Sequence, residues 1–262
     1  KTCKALDPNG EVVIKVFIKP ADNYNLKTVC DALNKEALIL AQLPNALNYS
    51  KILETDRAGY LIRQHLKRNL YDRLSSRPFL KDVEMKFIAF QLLQVLKDIH
   101  AKEITHGDLK TENLLVTSWN WLVLTDFSSL LKPVYLPEDN PGEFSFYFDT
   151  SQRRSCYLAP ERFNSEMYTQ VKNKTSRVTK EMDIFSAGCC IAEIFTEGRS
   201  IFNLSQLYKY KSGDYNPQDI LNQESDDIVL KELVMNMISL DPKRRLSADE
   251  ILNKYRRKFF PE

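Results

Sequence analysis

Two short runs hold most of the chemistry available to this chain. One is His106-Gly107-Asp108-Leu109-Lys110-Thr111-Glu112-Asn113, and the other, a little further on, is Thr125-Asp126-Phe127-Ser128. Together they offer two catalytic-type carboxylates, an ammonium and an amide. Such a set suits phosphoryl transfer, which needs little covalent help. It needs cations against the phosphates, oxygen ligands for a metal, and a base near the attacking hydroxyl. Taken singly, Asp108 could be a turn carboxylate after glycine and Asn113 a turn cap. Asp126 ends an apolar run and should face a cleft. Lys15 lies within Val12-Val13-Ile14-Lys15, where a solvated lysine gains nothing from its apolar neighbours. Alone, it reads as a lysine on the open face of a strand.

These groups need elements to carry them. Glu11 to Ile18 is rich in β-branched residues and predicts a strand. Asn9-Gly10 predicts the hairpin turn before it, with Thr2 to Leu6 as the partner strand. Leu26 to Leu43 predicts a helix with Val29, Leu33, Ala37 and Leu40 on one face. Tyr60 to His65 predicts another strand. From Asp82 onward, Met85, Ile88, Ala89, Leu92, Leu93, Leu96 and Ile99 recur every three or four residues and predict a long helix. Leu114–Thr117 and Leu122–Thr125 predict two short strands around Trp119-Asn120-Trp121. Asp183 to Phe195 is apolar nearly all round, as in a helix buried within a lobe. Glu166 to Lys180 is polar and basic and predicts a solvated loop. The fold class is α+β, with a β-rich front and an α-rich back meeting near His65-Leu66.

The chain has 262 residues, 43 % of them hydrophobic, which suffices for one large domain or two lobes around a cleft. A net charge of +2 is too balanced to argue for a nucleic-acid partner. No apolar run approaches a membrane span. The five cysteines, Cys3, Cys30, Cys156, Cys189 and Cys190, form no CxxC pair and no zinc spacing, which favours a reducing setting. Sequons at Asn48, Asn173 and Asn203 read as chance.

The order of these motifs resembles that of protein kinases. The first run resembles their catalytic loop, H-R-D-L-x-x-x-N, and the second their D-F-G magnesium motif. The resemblance covers the chain from Lys15 onward. It implies a bilobal fold, with an N-lobe over 1–65 (lacking the Gly-rich loop) and a C-lobe over 66–262. It implies Asp108 as base and Lys110 as the lysine that neutralises the transferring phosphate, in the Ser/Thr type of loop. It implies Lys15 on the nucleotide phosphates, paired with Glu36, and Asn113 and Asp126 as Mg2+ ligands. Gln64, His65 and Leu66 would offer backbone contacts to the purine of ATP or GTP. Ala159-Pro160-Glu161 resembles A-P-E, and Leu240-Asp241-Pro242-Lys243-Arg244-Arg245 the late L-D-P-x-x-R, which implies a Glu161–Arg245 pair. Asp183 would brace the catalytic loop.

The chain also departs from the pattern. Gly107 replaces the catalytic-loop arginine, so a switch that grips a phosphorylated activation loop should be missing. Ser128 replaces the D-F-G glycine and should disfavour flipping of the motif. No G-x-G-x-x-G occurs. These losses favour a nucleotide-binding scaffold; the retained base and metal ligands keep the enzyme reading.

Val116 to Ser128, Lys132 to Pro141, and Phe146 to Thr150 through Cys156 to Phe163, with the His106-Gly107-Asp108 loop, more closely resemble the protein-kinase-like regulatory subunits of class III phosphatidylinositol 3-kinase complexes. That resemblance implies partnership with the lipid kinase catalytic subunit and with Beclin-like coiled-coil subunits. It also implies an upstream myristoyl anchor outside this chain, and a cytoplasmic, peripheral location on endosomal, Golgi and autophagic membranes. Phe144, Phe146 and Phe148 alternate, so an extended segment would present one aromatic face. Two readings stand: a docking surface for the lipid kinase, or packing on the segment's own lobe. Arg153 and Arg154 read as solvated charge, or as readers of a phosphate or acidic partner.

Overall fold

A computed structural model describes residues 1–8, 10–19, 25–127, 130–149, 151–171 and 177–260. The hairpin residue Asn9, the D-F-G-like Ser128 and the sequon Asn173 lie outside them. The front of the molecule is an antiparallel sheet of β1 (Thr2–Asp7), β2 (Gly10–Ile18), β5 (Ala58–Gln64) and β4 (Lys51–Glu54), in the order β1-β2-β5-β4. Helix α1 (Lys27–Leu40) packs on it and buries Leu33 and Leu40. Strand β4 had no clear sequence signal, because it is short and carries charge at both ends. In the β2–β5 ladder Val13 faces Arg63 and Lys15 faces Leu61. Alternation then puts Lys15 and Arg63 on the same face of the sheet.

Behind the sheet the chain is mostly helical. Helix α2 (Leu70–Leu74) leads to α3 (Asp82–Ala101), whose Ile88, Ala89, Leu92, Leu93, Leu96 and Ile99 are fully covered. Burying each large aliphatic side chain there contributes about 1.5–3 kcal/mol. Strands β6 (Leu114–Val116) and β7 (Leu122–Thr125) form a hairpin. The two-residue strand β3 (Ala46–Leu47) joins β7 in parallel. Buried Asn45 reinforces that junction, its side chain donating to the Leu122 carbonyl at 2.7 Å and its own carbonyl accepting from Leu124 at 2.8 Å. The end of β7, and so Asp126, is thereby fixed beneath the sheet.

Helix α4 (Pro141–Tyr147) follows, then α5 (Ser165–Val171), α6 (Lys180–Phe195), α7 (Leu204–Ser212), α8 (Gln218–Glu224), α9 (Ile228–Met237) and α10 (Ala248–Tyr255). Two expectations are corrected here. Phe144, Phe146 and Phe148 are not on an extended segment: Asn140 caps α4 by accepting from Gly142 and Pro141 opens its first turn. Helical spacing then buries Phe144 and Phe148 and leaves Phe146 outside at 74 % exposure. The polar segment after Asn164 is also not all loop, because the Asn164 side chain accepts from Met167 and starts α5. All five cysteines are free thiols. Among the described residues, no helix is long and apolar enough to cross a membrane.

Candidate active site

The loop from His106 to Asn113 is held from below by Asp183, in the first turn of α6. One Asp183 oxygen accepts from the His106 backbone at 2.7 Å and contacts His100 Nε2 at 3.1 Å; the other accepts from the Gly107 backbone at 2.9 Å. Burial pushes the Asp183 carboxyl up, but these bonds, His100 first, outweigh it and hold the pKa below the usual range. Gly107 has φ +78, a conformation that resists a side chain. Its carbonyl accepts from Arg162 Nη1 at 2.7 Å. Arg162 is fully buried; its other nitrogens donate to the Val134 and Pro133 carbonyls, each at 2.8 Å. Burial lowers this guanidinium to about 10, still charged at neutral pH. Thus a cation from the A-P-E turn ties the catalytic-type loop to the segment after Phe127. Arg162 follows the A-P-E run with no local mark of this role.

His106 is buried, and burial lowers its pKa. The neutral ring accepts from the Asp108 backbone at Nδ1 (3.2 Å) and donates to the Thr125 carbonyl from Nε2 (2.8 Å). Its ring also meets Phe127 edge-on at 4.9 Å. The loop and the Asp126 turn therefore form one packed unit. Asn113 Nδ2 donates to the Asp108 carbonyl at 2.8 Å and to Oδ2 at 3.1 Å.

The two carboxylates each meet resident cations. Asp126 Oδ1 accepts from Arg63 Nε at 2.9 Å, while Oδ2 accepts from Arg63 Nη2 at 3.3 Å and pairs with Lys15 at 3.1 Å. Burial opposes ionisation, but Lys15 and then Arg63 push Asp126 down to about 2. Asp108 Oδ2 contacts Lys132 Nζ at 2.7 Å, with Lys110 Nζ at 3.8 Å. Lys132, and next Lys110, overcome burial and hold Asp108 below its usual range. Lys110 itself donates to the Phe148 carbonyl at 3.0 Å, and Lys132 lies 4.8 Å over the Phe148 ring.

The Lys15–Glu36 pair is not formed: among the described residues, no ion pair joins them. Lys15 has gone to Asp126 instead, and Leu131 packs with Val29 and Leu33 of α1 in the small cluster under the sheet. Half-buried Glu36 has no ion pair among the described residues, and burial raises it to about 7. Among the described residues, the hydroxyl of buried Tyr49 nearby also has no hydrogen bond. The Gln64-His65-Leu66 backbone is partly committed. The Gln64 carbonyl accepts from Arg63 at 3.1 Å, and the His65 N–H donates to Glu11 at 2.9 Å. Among the described residues, no backbone partner meets Leu66.

Arg245 does reach Glu161, at 2.6 and 2.9 Å. Arg153 is corrected from solvated charge: its side chain is 12 % exposed and bridges Glu193 at 2.6 Å and Glu112 at 3.1 Å. It also stacks 3.6 Å from the Tyr71 ring centre and donates to Thr111 and Tyr157. Arg154 remains exposed. With Phe144 and Phe148 in the core, only Phe146 of the three aromatic candidates is available to a partner.

Compared with known proteins, residues 1–255 match the family model of the protein kinase domain. The chain belongs to the protein kinase family. The serine/threonine-protein kinase VPS15 of Saccharomyces cerevisiae is 66 % identical over 263 residues, all of this chain and 18 % of that protein. A non-specific serine/threonine protein kinase of Candida glabrata is 60 % identical over the whole chain, which covers 19 % of it. The serine/threonine-protein kinase VPS15 of Arabidopsis thaliana is 43 % identical, again over the whole chain and 18 % of its own length. The chain thus spans less than a fifth of these curated relatives.

A kinase domain implies ATP and Mg2+ in general terms, and the side chains here fit that pair in kind. Lys15 and Lys110 are cations suited to phosphates. The Asn113 carbonyl oxygen and the Asp126 carboxylate are hard ligands of the sort Mg2+ prefers. The fit is tight at Asp126, since a metal there must compete with Lys15 and Arg63.

Proposed function

We propose that this kinase domain transfers the γ-phosphate of a purine nucleotide, ATP or GTP, to serine or threonine hydroxyls. The observation that carries the reading is the packed unit of His106, Asp108, Asn113 and Asp126, into which Lys15 and Lys110 both reach. Asp108 would orient the incoming hydroxyl and take its proton. Its low pKa suits a carboxylate that stays ionised, acting by position more than by basicity. Lys15 would leave Asp126 for the nucleotide phosphates, and Lys110 would face the transferring group. Asn113 and Asp126 would hold Mg2+, which when bound offsets charge on the phosphate oxygens. Leu66 offers the uncommitted backbone groups at the purine edge.

The longer protein is proposed to recruit and activate the class III phosphatidylinositol 3-kinase catalytic subunit, with Beclin-like subunits, on endosomal, Golgi and autophagic membranes. Supporting this are the resemblance of the Val116–Phe163 stretch and the identity to proteins named VPS15. A second reading, a nucleotide-holding scaffold with little transfer, is favoured by one observation. Lys132 covers Asp108, and the Phe148 carbonyl engages Lys110. Asp108→Asn in the full-length complex separates the two. Loss of protein phosphorylation with nucleotide binding intact supports transfer. Unchanged phosphorylation refutes Asp108 as the catalytic residue, and no phosphorylation even from the wild type supports the scaffold.

A further inference from the structure

The charge lining the cleft differs from what a metal-dependent triphosphate site requires. A triphosphate is a polyanion, and a cleft dominated by carboxylates accepts it only with divalent ions in between. Here both oxygens of Asp126 already touch cations mounted on the sheet, Arg63 and Lys15. The strand register makes this a built arrangement, since it puts both side chains on one face of β2 and β5. Arg63 is further fixed by its bond to the Gln64 carbonyl at 3.1 Å and is 7 % exposed. On the other side, Asp108 is met by Lys132 at 2.7 Å and Lys110 at 3.8 Å. Lys132 is held in turn by the Phe148 ring, 4.8 Å away, and by the grip of Arg162 on the neighbouring Pro133 carbonyl at 2.8 Å.

These cations lie near enough to sense each other. Burial lowers the pKa of Lys132, Asp108 pushes it back up, and Lys110 and Lys15 lower it further. Among the described residues, Glu36, the acid that would have balanced Lys15, has no ion pair, and burial raises it to about 7. Among the described residues, Lys15, Arg63, Lys110 and Lys132 thus face the full charges of Asp108 and Asp126 and the partial charge of Glu36, so the cleft is positive before any metal arrives.

We propose that this cleft binds a nucleoside triphosphate without a divalent metal, with Arg63 and Lys132 supplying at the two carboxylates the positive charge that a metal would otherwise bring. The inference rests on the nucleotide-site reading above, and it makes binding, as distinct from phosphate transfer, independent of Mg2+.

The test is to titrate full-length protein with ATP and with GTP, once in excess Mg2+ and once in EDTA, by calorimetry. For the nucleotide that binds, the expected dissociation constants in the two buffers lie within about tenfold of each other. A loss of more than about tenfold in EDTA overturns the proposal while leaving the nucleotide site standing. Absence of binding in both buffers overturns the nucleotide-site reading and this inference with it. Lys132→Met keeps a side chain on the Phe148 ring and removes only the charge. It should weaken binding in EDTA more than in Mg2+, by about tenfold in the ratio. Arg63→Met should shift the ratio the same way, since it frees Asp126 for a metal. Equal losses in both buffers for Lys132→Met contradict the assignment, whether or not Arg63→Met folds.

Discussion

The floor and the roof of the cleft are built to different standards. In the floor, Asp183, His106, Gly107 and Arg162 satisfy one another through bonds of 2.7 to 2.9 Å, deep in the core. In the roof, among the described residues, Glu36 has no ion pair and the Tyr49 hydroxyl no hydrogen bond, and Lys15 has crossed over to Asp126. A buried network with every member satisfied is rigid, whereas one with unmet groups can rearrange at little cost. The floor is thus prepared before any ligand arrives, and the roof is the part that a ligand can reorganise.

This contrast predicts opposite responses to pH. Asp183 and Asp108 have folded pKa values below their unfolded ones. Their contribution is present above about pH 4 and is lost as acid protonates them. Glu36 has a folded pKa of about 7, above its unfolded value of 4.5. The folded state therefore holds that proton more tightly, and its contribution is full below pH 4.5 and lost as pH rises through 7.

The largest effect is expected in the floor. Asp183→Ala leaves two backbone N–H groups and His100 unpaired and should cost about 3–5 kcal/mol in urea unfolding. A cost near that of a surface change would erase the contrast. Arg162→Met strands three carbonyls and should cost about 3 kcal/mol. It should also speed proteolysis within residues 130–149, read by mass spectrometry of the fragments. In the roof, Glu36→Gln should raise stability by about 3 kcal/mol at pH 8 and change little at pH 4.5. A uniform shift across pH would mean that Glu36 is not the titrating group. Smallest is Tyr49→Phe, which removes an unmet buried hydroxyl and should be neutral or stabilising by up to about 1 kcal/mol. A clear loss would reveal a partner for that hydroxyl.

The sequence made the floor more legible than the roof. The long apolar period of α3 marked it as a helix, and motif order alone brought Glu161 to Arg245 and Asp183 to the His106 loop. Pairings between distant cations and carboxylates were much less visible. Nothing local tells buried Arg162 or Arg153 from a solvated arginine, and Lys132 between Leu131 and Pro133 looks like any loop lysine. Arg63 could have been found, because it interrupts the apolar strand Ala58–Gln64 just as Lys15 interrupts β2. Helix α4 could also have been found: Asn140-Pro141 is a start signal, and it outweighed the alternation of the phenylalanines. The missing Lys15–Glu36 pair could not, since nothing local to β2 shows that Lys15 pairs with Asp126 across the cleft.

A nucleotide held between the sheet and the His106–Asn113 loop underlies both the transfer and the binding proposed above. Photolabelling of the full-length protein with 8-azido-ATP, followed by mapping of the modified peptide, tests this directly. ATP-displaceable label is expected near the end of β5, around Leu66, with protection of that label by GTP if the site accepts either purine. Label confined to the surface around Arg154, or label that unmodified nucleotides do not displace, would contradict it.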